Sequence, residues 1–166
     1  MFREHRVAVR RYVSRRVLPD AVDDVVADTF LVAWRRFDEL PRDTLPWLFA
    51  TARRCLANNR RAAIRGDALR ARLRAQRVAP AVDPRATDED REAVIWAFAQ
   101  LSDSERELLM LTEWDGLPPR RAAAVLGISA TTARTRIHRA RKKLRAALAQ
   151  ELGLELDTVR GAHGTS

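Results

Sequence analysis

The segment 117–150 carries the residues whose types and spacing best suit chemistry with an acidic ligand. It has nine Lys and Arg residues and neither Asp nor Glu, and the rest of the chain has 22 basic and 22 acidic residues. This segment therefore accounts for the whole formal net charge of +9. One guanidinium group can donate two parallel hydrogen bonds to a phosphate or to a guanine edge. Threonine hydroxyls can hydrogen-bond to bases or phosphates. The pattern favours a nucleic acid as partner, although an isolated charge run is more often a solvated helix face.

Apolar residues within this segment predict which side chains would face that partner. Positions 133, 137, 140, 144 and 148 are Ala, Ile, Ala, Leu and Leu, a helical repeat that gives one narrow inward stripe. The opposite face would fit a major groove. We predict DNA contacts from Thr131, Thr132, Arg134, Thr135, Arg136, His138, Arg139, Arg141 and Lys142. Within this set, base reading is assigned to Arg134, Thr135, His138 and Arg139, and phosphate contact to the other basic residues.

A shorter helix before the basic one completes a predicted helix-turn-helix. Pro118 and Pro119 suit the first turn of that leading helix, where no amide donor is missed. Gly127 suits a sharp corner between the helices, and Ser129 can cap the second one. Together with the acid-free basic charge, these features predict binding to double-stranded DNA. Phosphate contacts from the leading helix are assigned to Arg120 and Arg121.

Helical periodicity elsewhere predicts an all-α protein of two small helical domains joined by a flexible linker. The first domain spans 1–61, with helices at 2–17, from 20 to 37 and at 47–61, and a loop at 38–46 that contains two prolines. The stretch 62–90 loses its amphipathic pattern and is interpreted as the linker. The second domain spans 91–150, where Ser102 and Glu105 predict a capping box at a helix start. Residues 151–166 form a predicted tail.

Composition argues against an enzyme, a metal protein and a membrane protein. The histidines His5, His138 and His163 are scattered along the chain, and no glycine-rich phosphate loop is present. Cys55 is the only cysteine, so it cannot form an internal disulfide and is expected in the core. We expect no cofactor and no metal. The sequence has neither an eighteen-residue apolar run nor a secretory signal, which predicts a soluble, cytoplasmic protein without membrane insertion.

The basic segment resembles region 4 of bacterial sigma factors of the extracytoplasmic-function (ECF) group. The similarity lies in Gly-Ile-Ser-Ala-Thr-Thr-Ala-Arg-Thr-Arg-Ile-His-Arg-Ala-Arg at 127–141 and Leu-Ser-Asp-Ser-Glu-Arg-Glu-Leu-Leu-Met-Leu at 101–111. The first half resembles region 2 of the same family through Asp-Asp-Val-Val-Ala-Asp-Thr-Phe-Leu-Val-Ala-Trp at 23–34 and Trp-Leu-Phe-Ala-Thr-Ala-Arg at 47–53. Two matches in the family order are far more specific than either alone.

The resemblance implies a function in transcription initiation. The chain would join core RNA polymerase at its clamp and flap regions, with region 4 reading the minus-thirty-five element and region 2 opening the minus-ten element. It also implies that Asp24, Ala27 and Asp28 contact the clamp, although Ala27 stands where relatives often have glutamine. An anti-sigma factor is a further partner that the family implies.

The resemblance assigns the minus-ten element to a loop and to the helix after it. The loop 40–46 would capture a flipped base of the nontemplate strand, at a cost of a few kcal/mol that nearby positive charge must offset. It begins Leu-Pro-Arg-Asp where relatives often carry Phe-Arg-Gly. The residues assigned to this element are Leu40, Pro41, Arg42, Asp43, Arg53, Arg54, Asn58, Asn59, Arg60 and Arg61.

The leading helix departs from the family pattern, and the resemblance also assigns a place to the linker. Arg120 and Arg121 stand where relatives commonly place acidic residues. By resemblance, the linker would thread the RNA exit channel, and its acidic character would come from Asp83, Asp88, Glu89 and Asp90.

Two other functions remain alternatives at this point. One is a helix-turn-helix regulator that never joins the polymerase; the similarity at 23–34 argues against it, and polymerase binding discriminates between the two functions. A regulatory protein that has lost DNA binding is disfavoured by the intact basic face at 134–139.

Overall fold

The computed structural model describes residues 2–66 and 87–151, and every regular element within these two ranges is helical. The all-α prediction is confirmed. The first range holds α1 (Phe2–Ser14), α2 (Pro19–Arg35), a 3-10 turn (Phe37–Glu39) and α3 (Thr44–Gly66). The second holds α4 (Asp88–Ala99), α5 (Asp103–Leu109), a π-helical turn (Met110–Trp114), α6 (Pro119–Leu126) and α7 (Ala130–Glu151).

Helix ends in the first half differ from the sequence prediction. Helix α1 ends at Ser14 rather than at 17, and α2 begins at Pro19, one residue before its predicted start. The fixed φ and missing amide hydrogen of proline suit that position. Helix α3 begins at Thr44, three residues before the predicted start, and therefore includes Pro46 in its first turn.

The predicted linker was too long at both ends. Helix α3 continues to Gly66, so residues 62–66 are helical. At the other end, Thr87 caps α4: its hydroxyl accepts from the Asp90 amide at 3.1 Å, and the Asp90 carboxylate accepts from the Thr87 amide at 3.0 Å. Asp88, Glu89 and Asp90 thus form the first turn of a helix, where carboxylates face the positive end of the helix dipole. The rest of the predicted linker, including Asp83, and the tail beyond 151 lie outside the described residues.

The core of the first half lies where α1, α2 and α3 meet. Val9, Tyr12 and Val13 of α1 are fully buried, and the Tyr12 ring stacks on Phe49 of α3 with centroids 4.5 Å apart. Not every large apolar side chain of this half is covered, because Trp34 is 70 % exposed and Phe37 is 52 % exposed. Cys55 is half-buried and packs against this core.

The core of the second half joins α4, α5, the π-helical turn and the inward faces of α6 and α7. Leu108 and Leu109 are buried, and Phe98 meets the Trp114 ring edge-on at a centroid distance of 5.4 Å. The capping box predicted at the start of α5 is confirmed: the Glu105 amide donates to the Ser102 hydroxyl, and the Ser102 amide donates to the Glu105 carboxylate at 3.0 Å. Within the described ranges, no helix is long and apolar enough to cross a membrane.

The two halves also pack against each other. Helix α3 lies directly on α6, and a cluster of polar side chains joins the end of α1 to α5 and to the residue after the π-helical turn. We name this cluster the interdomain clasp and define it as Tyr12, Arg15, Arg16, Glu107 and Asp115. This cluster was not predicted from the sequence, because the residues that pair across the two halves are 91 to 100 positions apart.

Candidate nucleic-acid and polymerase interfaces

The corner between α6 and α7 has the geometry of a helix-turn-helix. Pro119 occupies the first turn of α6, and Gly127 ends the helix with a φ of +66°, in the left-handed region that favours glycine. The Ile128 amide then donates to the Ala123 carbonyl at 3.1 Å. The Ser129 hydroxyl accepts from the Thr132 amide at 3.0 Å and so caps α7. The roles predicted for Gly127 and Ser129 are confirmed.

The predicted inward stripe of α7 is confirmed as far as Leu144, whereas Leu148, the last predicted member, is only half-buried. Ala133 and Ala140 are fully buried, and Ile137 is 2 % exposed. Leu144 is half-buried against the same core, and Ala147 is buried one turn later. These contacts fix the rotation of the helix, so the opposite face is turned outward without any local distortion.

That outward face presents most of the residues predicted to contact DNA. Thr132 and Arg136 are half-buried at its margins, and the Thr132 amide and hydroxyl are both bonded to Ser129. The Thr135 hydroxyl donates to the Thr131 carbonyl at 3.1 Å, which leaves its oxygen free to accept. The residues that are exposed are Thr131, Arg134, Thr135, His138, Arg139, Arg141 and Lys142.

Two basic residues of α7 are already paired with carboxylates of the same half. Arg141 donates from Nε to Glu113 at 3.1 Å, so a phosphate would have to compete with that carboxylate. Lys143, which the sequence analysis did not single out, donates to Glu105 at 2.8 Å and braces α7 against α5. The hydrogen bond from Lys143 and the Ser102 amide lower the pKa of the Glu105 carboxyl from 4.5 to about 2. Lys143 therefore sets the position of the helix rather than extending its DNA face.

The leading helix α6 contributes two exposed arginines. Arg120 and Arg121 both lie in its first turn and are exposed. The Arg121 Nε donates to Asp43 Oδ2 at 2.8 Å, across the boundary between the two halves. Sequence reasoning could not find this contact, because it joins positions 78 residues apart.

The residues predicted for the minus-ten element surround the start and the exposed side of α3. Leu40 is half-buried, whereas Pro41, Arg42 and Asp43 are exposed. The Thr44 hydroxyl donates to the Pro41 carbonyl at 3.0 Å and closes the loop onto the helix. Along α3, Asn59 is half-buried, and the exposed members of the predicted set are Arg53, Arg54, Asn58, Arg60 and Arg61.

The third predicted surface lies on α2. Asp24, Ala27 and Asp28 are all exposed on one side of this helix, and their neighbours toward the core are buried valines. Beside them is a groove of about 540 Å³ that the sequence analysis did not predict. It is lined by Arg3, Arg6, Asp23, Val26, Ala27, Phe30 and Trp34. The groove explains the exposure of Trp34, since that indole belongs to its wall.

Within residues 2–66 and 87–151, no three His, Cys, Asp or Glu side chains lie close enough together to hold a metal ion. Burial raises the pKa of the Cys55 thiol, so this cysteine is not poised as a thiolate nucleophile.

Comparison with known proteins gives separate matches for the two halves of the chain. The family model described as Sigma-70 region 2 matches residues 1–66, and the model described as Sigma-70, region 4 matches residues 91–144. The ECF RNA polymerase sigma factor SigL of Mycobacterium tuberculosis is 31 % identical over 170 residues, which cover 93 % of this chain and 89 % of that protein. The RNA polymerase sigma factor NccH of Alcaligenes xylosoxydans is 33 % identical over 136 residues, or 76 % of this chain and 73 % of that protein.

Solved structures have the same fold. CnrH, solved in complex with the cytosolic domain of CnrY, superposes with a TM-score of 0.61 at 30 % identity, covering 90 % of this chain and 85 % of that one. RpoE of Bartonella quintana, solved in complex with the anti-sigma factor NepR, gives a TM-score of 0.63 at 22 % identity, with 93 % and 95 % covered.

Proposed function

We propose an assignment of promoter and polymerase contacts for this chain, which belongs to the extracytoplasmic-function group of RNA polymerase sigma factors and so directs core RNA polymerase to promoters. Sigma factors are initiation factors, and the polymerase carries out the chemistry. We divide the chain as the sequence predicts, into a region 2 domain (1–61), a linker (62–90), a region 4 domain (91–150) and a tail (151–166). Because residues 62–66 and 88–90 are helical, the linker itself is shorter than the range 62–90.

Helix α7 reads the minus-thirty-five element in this proposal. The observation that carries it is the exposed row of Arg134, Thr135, His138 and Arg139 directly opposite a buried stripe. A helix with one face locked into the core presents the other as a rigid edge to the major groove. Arginines on that edge can read guanine with two parallel hydrogen bonds.

Phosphate contacts hold this helix in the groove. The residues assigned to these contacts are Arg120 and Arg121 of α6 and Arg136, Arg141 and Lys142 of α7. Because Arg141 is paired with Glu113, binding would exchange that carboxylate for a phosphate, and its net contribution is smaller than that of Lys142.

The minus-ten element is bound at the loop 40–43 and along α3. An unstacked base needs a pocket and nearby positive charge, and Arg42, Arg53 and Arg54 are exposed around the loop and the helix that follows it. Farther along α3, Asn58, Arg60 and Arg61 are exposed and Asn59 is half-buried, and these side chains are assigned to the same element.

The clamp of the polymerase binds the exposed acidic face of α2. Asp24 and Asp28 carry the charge of this contact, and Ala27 lies between them as an apolar contact rather than a polar one. Rows of exposed carboxylates suit a basic partner surface. The flap region of the polymerase is the partner proposed for the region 4 domain.

A regulatory protein of the anti-sigma kind is also proposed as a partner, because CnrH was solved in complex with the cytosolic domain of CnrY and is 30 % identical to this chain. We place the protein in the cytoplasm, where its polymerase and promoters are.

Holoenzyme assembly tests the assignment on α2. Asp24→Lys should abolish binding to core polymerase in a pull-down, because it puts a cation against a basic partner surface. Asp20→Lys is the matched control, since Asp20 is an exposed carboxylate in the first turn of the same helix. Full retention of core binding by Asp24→Lys would remove the clamp assignment, and equal loss in both variants would reduce it to a general effect of charge.

A further inference from the structure

Two ion pairs join the DNA-reading helix α7 to the elements packed behind it. Lys143 pairs with Glu105 of α5, and Arg141 pairs with Glu113 of the π-helical turn. The other basic residues of α7 assigned to DNA form no ion pair with any carboxylate of residues 2–66 and 87–151. These residues are Arg134, Arg136, Arg139 and Lys142. Among the residues assigned to DNA on this helix, Arg141 is therefore the one whose charge is already matched.

The two ion pairs differ in what holds the carboxylate. The Glu105 side chain is 10 % exposed and also accepts from the Ser102 amide and hydroxyl, so it keeps its place whatever Lys143 does. The Glu113 side chain is 43 % exposed. Its other hydrogen bond among the described residues comes from the Thr112 hydroxyl at 3.4 Å. The first pair braces the helix, whereas the second is a loose contact at the surface.

The Glu113 carboxylate occupies the part of Arg141 that a phosphate needs. Arg141 donates to Oε1 of Glu113 from Nε at 3.1 Å and from Nη2 at 2.5 Å. This edge of a guanidinium is one that forms paired hydrogen bonds with phosphate oxygens. The Arg141 side chain is itself half-exposed, and ion pairs that are exposed at both ends are weak. A phosphate can therefore replace the carboxylate, but part of its attraction to Arg141 is lost in the exchange.

The π-helical turn places Glu113 beside α7. The Asp115 amide donates to the Met110 carbonyl at 3.0 Å, five residues back, which is the hydrogen bond of a π-helix. Such turns insert one residue into a helix and occur frequently at functional sites. Met110 and Leu111 at the start of the turn are fully buried, while Glu113 is exposed next to Arg141. The core thus fixes the backbone that carries this carboxylate.

We propose that Glu113 competes with DNA phosphates for Arg141 and so lowers the affinity of the chain for duplex DNA of any sequence. The inference rests on the proposed function, since the assignment of α7 to the minus-thirty-five element comes from it. Phosphate contacts supply the affinity that does not depend on sequence, and a genome offers a vast excess of non-promoter sites. Glu113 therefore limits how strongly non-promoter DNA retains the chain, and it leaves base preference to Arg139 and its neighbours.

Fluorescence anisotropy with the full chain tests this competition on two labelled duplexes. One is the upstream region of a start site mapped with this chain and core polymerase, and the other has the same bases in scrambled order. Glu113→Gln should bind both duplexes roughly two- to fivefold more tightly than the parent chain. The slope of log affinity against log salt concentration should become steeper by about 0.9, because Arg141 then neutralises a phosphate without a carboxylate beside it.

The control Asp103→Asn removes an exposed carboxylate of α5 and should change neither the affinity nor the slope. An equal gain in this control would show a general effect of charge and would overturn the proposal. A gain on the promoter duplex alone would also overturn it, since Glu113 would then act on base reading. Weaker binding by Glu113→Gln would mean that the pair positions the helix, which contradicts competition.

A double variant tests whether the effect passes through Arg141. In an Arg141→Gln background, Glu113→Gln should leave the affinity unchanged, and a gain that persists there overturns the proposal. If the parent chain binds the promoter duplex and Lys142→Gln weakens it, an unchanged affinity in Glu113→Gln removes this inference alone. If the parent chain binds neither duplex, the assignment of α7 as the DNA-reading helix fails, and the inference fails with it.

Discussion

Replacing Glu105 with glutamine tests how the DNA-reading helix is held in place. The Glu105 carboxylate accepts from the Ser102 amide and hydroxyl at 3.0 and 2.9 Å, and from Lys143 of α7 at 2.8 Å. A glutamine oxygen can keep the bonds to Ser102, so Glu105→Gln removes mainly the charge that binds Lys143. The variant isolates the link between α5 and α7.

The expected cost follows from the lowered pKa. A shift from 4.5 to about 2 corresponds to an upper limit of about 3 kcal/mol. The Lys143 side chain is 55 % exposed, so solvent screens much of the attraction. We therefore expect Glu105→Gln to lower the free energy of unfolding by roughly 1 to 2 kcal/mol at pH 7, measured by urea denaturation.

The sign of the pH dependence makes this prediction specific. The pKa is lowered in the folded chain, so the stabilisation is complete above the unfolded value near 4.5 and is lost as the pH falls toward 2. The difference in free energy of unfolding between the parent chain and Glu105→Gln should therefore be constant from pH 7 to 5.5 and should be smaller at pH 3. Asp103→Asn is the control, because this carboxylate of the same helical turn is fully exposed and should change the unfolding midpoint little. A difference in free energy of unfolding that is the same at pH 7 and pH 3 would show that the Glu105 charge is not the source of the stabilisation.

Three further predictions concern the helix-turn-helix. Gly127→Ala should lower the free energy of unfolding by about 1 kcal/mol in a urea titration. The cause is the backbone φ of +66°, which strains any residue with a Cβ, and not a steric clash, because no atom lies within 4 Å of an added Cβ. Gly127→Asn should lower it less, because asparagine adopts this conformation more readily than alanine. Arg139→Ala should weaken promoter binding by roughly 1 to 3 kcal/mol and relax preference at one upstream base pair, measured by competition among promoter variants; uniform weakening across sequences would contradict base reading. Lys142→Gln should reduce the slope of log affinity against log salt concentration by about 0.9, and an unchanged slope would mean that Lys142 contacts no phosphate.

Local periodicity was sufficient to predict which face of α7 is buried and which is exposed. The stripe that includes Ala133, Ile137 and Ala140 repeats with the helical period, and a helix that must bury one stripe has only one rotation available. The corner was equally predictable, because the left-handed backbone at Gly127 and the cap at Ser129 each demand particular residue types. These features are encoded within a few residues of one another.

Helix ends and exposure were less predictable, for identifiable reasons. A proline is compatible both with the end of one helix and with the first turn of the next, and Pro19 belongs to the second case. Thr87 and Asp90 carry a capping signal three residues apart that was available in the sequence but lay in a stretch interpreted as linker. Trp34 looks like a core residue by type, yet whether it is covered depends on α1, which leaves a groove beside it.

The contacts between the halves could not be predicted from local patterns. Arg16 and Asp115 have ordinary neighbours in sequence, and nothing in their spacing indicates that they meet. Packing of α3 on α6 brings them together, and that is a property of the whole fold.

Transcription with purified core polymerase tests the central claim most directly. Core polymerase with this chain is incubated with fragmented genomic DNA, and the 5′ ends of the transcripts are sequenced beside reactions that contain core alone. New start sites that share one pair of upstream elements are expected, and Arg139→Ala should relax the base preference at one position of the upstream element. Transcript ends identical to those from core alone would contradict that claim.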